Sequence, residues 1–207
     1  MARLFLLAAC VLALAASAIG VVLARSGHTA NRSADGLAIR LAGTDVWPVG
    51  ARPAPAFAAR DQNGRMITRN SLHGRIWAIT FLDSRCRQAC PVVARDLATT
   101  QRLLDHKDPL VIVLVSVLPD YDTPARVRAF AREAGLTDNW HWLLGTKEQL
   151  APIWKDYGIY VVSGVEHTAA LYLVDRRGDV RVADGVPFVP SQLAGSTRAL
   201  MASDVHS

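Results

Sequence analysis

The sequence predicts an α/β sandwich with a mixed central sheet, and three observations lead to this fold class. Two apolar runs rich in β-branched residues, 76–82 and 110–117, are typical of buried strands. Apolar residues recur at helical spacing after the first run, and a Thr-Pro helix start follows the second. Two further strand-like segments and a last helix close the chain. Strands that alternate with helices and then end in a hairpin predict a sheet of this kind.

The composition excludes several classes of protein. The chain has 207 residues, of which 51% are hydrophobic and 20% are charged, as expected for one domain with an appendage. This apolar share excludes a disordered chain, and 10 prolines with 14 glycines exclude a collagen-like sequence. The formal net charge of +5 is mildly basic and dispersed. No stripe of basic residues interleaved with aromatic residues occurs, so we expect no nucleic-acid partner.

Residues 1–24 predict an N-terminal membrane anchor or signal segment. The run 4–24 carries no charge, and about 20 helical residues cross the core of a bilayer. Small residues at 16–18 and 22–24 resemble cleavage sites, so a signal peptide is the alternative, although the run exceeds the usual ~7–15 residues. Lipidation at Cys10 is disfavoured because the apolar run continues past it. Either main alternative exports the rest of the chain to the periplasmic, extracytoplasmic side.

The exported part divides into a linker and one domain. Residues 25–50 mix glycine, serine, asparagine and aspartate with little periodicity, which is typical of a linker. We expect the domain to span residues 51–207. An Asn-Gly pair at 63–64 between apolar positions predicts a hairpin. The buried strand at 76–82 follows, and a helix then continues to about Leu104.

The second half of the domain continues the alternation. After the strand at 110–117, the Thr-Pro pair at 123–124 predicts the start of a helix that ends at Gly135. A short strand is expected at 140–144. Thr146 and Gln149 resemble a capping box, which predicts a helix reaching about residue 157. The remaining elements are a two-stranded hairpin and a terminal helix, at 169–174, 180–183 and 191–201.

Cys86 and Cys90 are the candidate functional residues of the exported part. They lie where the strand at 76–82 leads into a helix. Pro91 disfavours helical geometry at the residue before it, which predicts Cys90 as the helix N-cap and Cys86 in the preceding loop. An oxidising compartment permits a disulfide between this pair.

The neighbours of the two cysteines favour ionised thiols. Backbone N–H groups at a helix start stabilise thiolates, and Arg85 and Arg87 add to this effect, whereas Asp83 opposes it. We therefore predict a lowered pKa for both thiols.

The three-residue spacer between the cysteines leaves two interpretations open. Side chains at i and i+4 of a helix have Cβ atoms about 5–6 Å apart. A disulfide needs about 3.5–4.5 Å, whereas two thiolates on one metal ion tolerate a wider separation. The spacing therefore favours a metal, but a loop position for Cys86 also permits a Cys86–Cys90 disulfide.

No histidine is marked as a metal ligand by its local sequence. His141 lies between two tryptophans on a predicted strand, where a packed or surface imidazole is the ordinary interpretation. His167 directly precedes the hairpin strand. The six histidines of the chain are His28, His73, His106, His141, His167 and His206.

Five segments of the chain resemble the Sco/SenC family of copper-binding, thioredoxin-like proteins. They read FLDSRCRQACP, VSVLPDYDTP, WHWLLGT, IWKDYGIYV and EHTAALYLVDRRG. The resemblance extends over about residues 53–201, and the combination of Cys-x3-Cys-Pro with a later histidine is its specific part. It implies a thioredoxin-like fold, anchored by one N-terminal membrane helix.

The resemblance also implies a metal site and a role. Copper would be held by Cys86, Cys90 and His167, and the protein would assemble the dinuclear copper centre of a respiratory cytochrome oxidase. Its partner would be the copper-bearing oxidase subunit or another copper or thiol protein. Thiolate and imidazole donors suit copper, although zinc accepts the same set. A metallochaperone of this kind needs no catalytic residue.

The chain departs from the family pattern near the cysteines. Arg87 replaces the proline that usually follows the first cysteine, and Asp83-Ser84 replaces a Tyr-Thr pair. Leu118 stands where the family carries an acidic residue. Asp122 is retained, and its ordinary interpretation is helix capping.

The alternative function is a thiol–disulfide oxidoreductase, in which Cys86 attacks and Cys90 resolves the mixed disulfide. Thr168-Ala169-Ala170 disfavours it, because such enzymes usually carry a proline before the strand that faces the cysteines. A thiol peroxidase is disfavoured because the Thr and Pro that such enzymes use before the reactive cysteine are absent. A structural protein with an inert disulfide stays open.

Overall fold

The computed structural model describes residues 41–104, 110–162 and 166–203. The predicted anchor or signal segment at 1–24 and most of the predicted linker lie outside these residues. Within the described part, no helix combines the length and the apolar character needed to span a membrane.

The predicted mixed sheet forms the centre of the described domain, and it has six strands. They are β1 Asp45–Val46, β4 Trp77–Leu82, β5 Val111–Ser116, β6 Trp140–Leu143, β9 Ala170–Val174 and β10 Val180–Gly185. Their order in the sheet is β1-β10-β9-β4-β5-β6. Strands β4, β5 and β6 pair in parallel, and β9 joins the other side of β4 in antiparallel orientation.

Two small sheets accompany the central one. The first pairs β2, Ala58–Arg60, with β3, Met66–Thr68, which confirms the hairpin predicted from the Asn-Gly pair. The second pairs β7, Val161–Val162, with β8, Glu166–His167, through two residue pairs.

The described residues contain four α-helices, and two of them begin and end where the sequence predicts. The Thr123 side chain caps helix α2, Pro124–Ala134, and Gly135 ends that helix with a φ of 81°. Thr146 and Gln149 form the predicted capping box on α3. The helices are α1 Ala89–Leu103, α2 Pro124–Ala134, α3 Lys147–Asp156 and α4 Pro190–Ser203, with a 3₁₀ turn at Asn70–Leu72.

The core has two layers, one on each face of the sheet. Alternate residues of β4 point to opposite faces, so Ala78 and Leu82 pack in one layer and Ile79 and Phe81 in the other. The first layer is covered by α1, α2 and α4, and the second by α3. All six residues of β4 are buried, which is why this strand reads as a continuous apolar run.

The folded unit begins before residue 51, in a segment whose composition predicts a linker. Strand β1 pairs with β10 at the edge of the sheet, and Leu41 joins the core. Arg181 of β10 fixes this segment, because its Nε donates to the Trp47 carbonyl while its Nη1 lies 3.1 Å from Asp175. A two-residue strand carries no detectable periodicity, so the pattern of residues 25–50 does not reveal it.

Candidate metal centre

The two cysteines belong to a tight loop at the carboxyl end of β4. Asp83 follows the strand directly, and its Oδ1 accepts hydrogen bonds from the backbone N–H groups of Arg85 and Cys86, at 2.9 and 2.7 Å. These bonds fold the chain back within three residues. The loop therefore places Cys86 just beyond the carboxyl end of the buried strand β4.

Helix α1 begins earlier than predicted. Its N-cap is Gln88, and Cys90 is the second helical residue, so the prediction that Cys90 is the N-cap is wrong. Pro91 is tolerated because N–H groups in the first turn of a helix have no partner within the helix. The prediction that Cys86 lies in the preceding loop is confirmed. Its Sγ accepts the N–H of Cys90 at 3.4 Å.

Both cysteines are free thiols in this structure, and they differ in accessibility. Cys86 is partly exposed, whereas Cys90 is only 2% exposed. Their Sγ atoms and one carboxylate oxygen of Asp83 all lie within 4.8 Å of one another. The disulfide between the two cysteines stays a prediction.

The two thiols have opposite acid–base character. Burial alone would raise the pKa of Cys86, but hydrogen bonds from the backbone N–H groups of Cys90 and Gln88 outweigh it and lower that pKa. This confirms the predicted direction for Cys86. Burial raises the pKa of Cys90 well above its ordinary value, so the same prediction is wrong for Cys90. The charge of Asp83 acts against ionisation of both thiols, as expected.

The structure brings His167 to the same cavity as the two cysteines. The cavity has a volume of about 500 Å³, and its wall includes Asp83, Cys86, Cys90, His167, Ala169 and Val186. His167 is the last residue of β8, and its Nδ1 lies 3.0 Å from the Thr168 carbonyl oxygen. It is outside the 4.8 Å cluster of donor atoms. Its role as a metal ligand stays a prediction.

A hydrogen bond sets the tautomer of His167. A carbonyl oxygen only accepts, so Nδ1 of His167 carries the proton and donates it to Thr168. The lone pair of a neutral imidazole is then on Nε2. This nitrogen is the atom of His167 that remains for a ligand.

Asp122 does not cap α2, contrary to the ordinary interpretation of its Asp-Thr-Pro sequence; Thr123 performs that role. Its buried carboxylate instead accepts hydrogen bonds from the N–H and hydroxyl of Ser84 and from the hydroxyl of Ser116. Asp122 therefore ties the cysteine loop to the carboxyl end of β5. Burial raises its pKa although these three bonds act in the other direction.

The position of Asp83 in the donor cluster was not predicted from the sequence. Asp83 was expected only to depart from the family pattern and to oppose thiolates by its charge. The available signal was its place at the end of a buried strand, three residues before Cys86.

The other described histidines lie away from the donor cluster. Nδ1 of His141 lies 3.0 Å from the buried carboxylate of Asp61, so it is a packed imidazole, one of the two ordinary interpretations of it. His73 ends the 3₁₀ turn. His28, His106 and His206 lie outside the described residues.

Two known proteins are similar to this chain in sequence. The SCO1 protein homolog of Bacillus subtilis is 31% identical over 91 residues, which are 43% of this chain and 47% of that protein. The SCO2-like protein of Rickettsia typhi is 23% identical over 138 residues, with 59% of this chain and 65% of that protein covered. The chain thus spans about half to two thirds of the length of these relatives.

Solved structures confirm the thioredoxin-like Sco fold. A SCO1/SenC family lipoprotein from Bacillus anthracis superimposes with a TM-score of 0.67 at 22% identity, covering 77% of this chain and 99% of that one. Bradyrhizobium japonicum ScoI with copper bound gives a TM-score of 0.61 at 24% identity, covering 72% and 98%. The SCO1/SenC sequence pattern itself matches residues 49–201, well over half of the chain. This chain is therefore a member of the SCO1/SenC family.

Proposed function

We propose that this protein is a copper metallochaperone that binds its cargo through Cys86, Cys90 and His167. The observation that carries the proposal is that two free thiols and an imidazole line one cavity of a SCO1/SenC domain. Its recipient is the copper-bearing subunit of a respiratory cytochrome oxidase or another copper or thiol protein.

The donor chemistry supports copper as the cargo. Thiolates are soft ligands that select Cu(I), and an imidazole with two thiolates suits copper in either oxidation state. The Nδ1–H of His167 is held by the Thr168 carbonyl, which leaves Nε2 for the ion. The copper-bound relatives from Arabidopsis thaliana and Bradyrhizobium japonicum support the same choice of ion.

The different accessibility of the two thiols suits transfer by ligand exchange. Cys86 is partly exposed, so a thiol or imidazole of a partner can approach it, whereas Cys90 is buried in the hydrophobic core. An incoming ligand would displace Cys86 first, while Cys90 keeps the ion on the protein until transfer is complete.

We also propose that the protein is exported and held at the membrane by its N-terminal segment. The uncharged run 4–24 supports this location, as does the lipoprotein from the same family. The metal cavity would then face the extracytoplasmic side.

A second candidate function is disulfide exchange, and the lowered pKa of the accessible Cys86 favours it. The Cys86 thiolate would attack a partner disulfide, forming a mixed disulfide and releasing one partner thiolate. Cys90 would then pass its proton to the departing partner sulfur as it attacks Cys86 Sγ, which releases the second partner thiol and leaves a Cys86–Cys90 disulfide. An external thiol reductant would have to regenerate the dithiol. A disulfide switch in the family member BsSco supports this chemistry as the alternative.

Loading with Cu(I) separates the two functions. The full-length, reduced chain is incubated with Cu(I) without oxygen, and the retained copper per chain is measured by elemental analysis. The chaperone proposal expects about one copper per chain, which is lost in Cys86→Ser and in His167→Ala. The exposed His73 provides the matched control, so His73→Ala should retain copper.

Each contrary result has a distinct meaning. If His167→Ala retains as much copper as the unmodified chain, the imidazole of His167 is not a ligand of the ion. No retention by the unmodified chain, together with a readily cycled Cys86–Cys90 disulfide, would replace the chaperone proposal with the oxidoreductase.

A further inference from the structure

The loop after β4 brings three different donor groups into one small volume. A carboxylate oxygen of Asp83 and the Sγ atoms of Cys86 and Cys90 all lie within 4.8 Å of one another. Two donor atoms bound to one ion at about 2.3 Å each are at most about 4.6 Å apart. The three groups therefore need little movement to share a single ion.

The carboxylate of Asp83 is held in place for such a role. Asp83 is only 9% exposed, and its Oδ1 accepts the backbone N–H groups of Arg85 and Cys86. Both of those bonds end on Oδ1, so neither of them uses the second carboxylate oxygen. The bonds fix the plane of the carboxylate, which lowers the conformational entropy lost on binding an ion.

Electrostatics favours a cation at this point. Asp83, Cys86 and Cys90 each carry a negative charge when they are deprotonated, and charges of one sign repel at this distance, most strongly away from water. A divalent ion bound between them displaces the thiol proton of Cys90 and is attracted by the three negative charges that surround it. Cys90 is almost fully buried, so water screens its part of the cluster little.

We propose that Asp83 is a third protein ligand, which together with Cys86 and Cys90 binds a divalent transition-metal ion. This inference rests on the proposed function and deepens it, because it assigns a second donor set to the same cavity. Cu(I) is soft and is satisfied by thiolate and imidazole, whereas a carboxylate is a harder donor that suits divalent ions. Asp83 thus determines how tightly the centre holds a divalent ion relative to Cu(I).

Co(II) is the probe for this site, because its bound thiolates and its coordination geometry are visible by absorption. The full-length, reduced chain is titrated with Co(II) without oxygen. We expect thiolate-to-metal charge-transfer bands and visible ligand-field bands. Asp83→Asn should weaken Co(II) binding by at least the ~10–100-fold that follows loss of a supporting group in a metal site. It should also change the visible bands, while Cu(I) affinity changes less than about threefold.

The variants keep the loop bonds, so a lost ligand is distinguishable from a lost fold. The amide oxygen of Asn and the hydroxyl oxygen of Ser both accept N–H groups, so Asp83→Asn and Asp83→Ser each provide a test. Circular dichroism verifies the fold. Asp120→Asn is the control, because it removes the same charge from an exposed position outside the cluster.

The outcomes separate this inference from the proposed function. If Asp83→Asn and Asp83→Ser both keep the Co(II) affinity and the spectra of the unmodified chain, the inference is overturned. The chaperone proposal still stands in that case, provided that the chain retains Cu(I). Absence of Co(II) binding by the unmodified chain would overturn it as well. Co(II) binding that depends on Asp83, without Cu(I) retention, would support the inference and reject the chaperone.

Discussion

The Sγ of Cys86 accepts the backbone N–H of Cys90 at 3.4 Å, so the accessible thiol lies over the first turn of the helix that carries the buried one. An N–H group that has no partner within the helix thereby stabilises a negative charge on Cys86. Cys90 itself belongs to the hydrophobic core and is only 2% exposed. Two cysteines four positions apart consequently differ in both accessibility and pKa.

Alkylation should therefore distinguish the two thiols. At neutral pH, Cys86 should react with iodoacetamide about tenfold or more faster than Cys90, because only its pKa is lowered and only its Sγ is accessible. Peptide mass spectrometry of timed samples measures both rates. In denaturant the two rates should converge, and equal rates in the folded protein would contradict the assigned environments.

Asp122 should make stability depend on pH in a particular direction. A raised pKa means that the folded state binds the proton more tightly, so this group's contribution to the free energy of unfolding falls as pH rises through its folded pKa. Asp122→Asn, which keeps acceptor and donor for the two serines, removes this dependence. Relative to that variant, the unmodified chain should lose stability between acidic and neutral pH, measured by urea unfolding.

Removing the Asp122 carboxylate without replacing its hydrogen-bonding groups should lower the free energy of unfolding at every pH. Asp122→Ala leaves the buried N–H and hydroxyl groups of Ser84 and Ser116 without this acceptor, at a cost of about 1–3 kcal/mol. A loss in Asp122→Ala equal to that in the exposed control Asp120→Ala would refute the proposed tie between the loop and β5.

Asp61 should make stability depend on pH in the direction opposite to that of Asp122. Burial would raise the pKa of Asp61, but hydrogen bonds from His141 and from the N–H groups of Arg65 and Asn63 outweigh it and lower that pKa. Its stabilisation is complete above the unfolded pKa and is lost as pH falls through the folded pKa. Asp61→Asn should cost about 1–3 kcal/mol at pH 7, and the difference should shrink on acidification below about pH 4.

The Arg181–Asp175 pair should be essential for the edge of the sheet. Arg181→Met leaves the Asp175 carboxylate buried without its charge partner and removes the bond to the Trp47 carbonyl. Breaking such a pair costs about 3–5 kcal/mol. Guanidinium unfolding measures the loss, and amide exchange at Trp47 should accelerate. Replacement of the exposed Arg177 by Met is the control and should change stability by less than about 0.5 kcal/mol.

Much of the fold could be predicted because its signals are local. Strands β4 and β5 are fully buried, so their apolar runs are continuous, and α2 and α3 carry their capping residues in the sequence itself. Strand β1 and the start of α1 could not be predicted in this way. The first depends on pairing with residues more than 130 positions away, and the second depends on a loop that Asp83 folds.

The residues of the candidate site also differ in whether local sequence signals could predict them. The cysteine pair stands out locally, whereas His167 reaches the cavity because β9, which follows it, pairs with β4 across about 90 residues of sequence. Only the family resemblance indicated this relationship. Asp122 was misread for a similar reason: its partners, Ser84 and Ser116, belong to two other parts of the fold.

The walls of the cavity are anchored very unequally. The thiol side continues from β4, which has neighbours on both sides in the central sheet, so displacing it disrupts the whole domain. The imidazole side ends β8, which is joined to β7 by two residue pairs in a separate small sheet. The two walls of the cavity therefore differ in how firmly the fold holds them, and the imidazole wall can shift at a lower free-energy cost than the thiol wall.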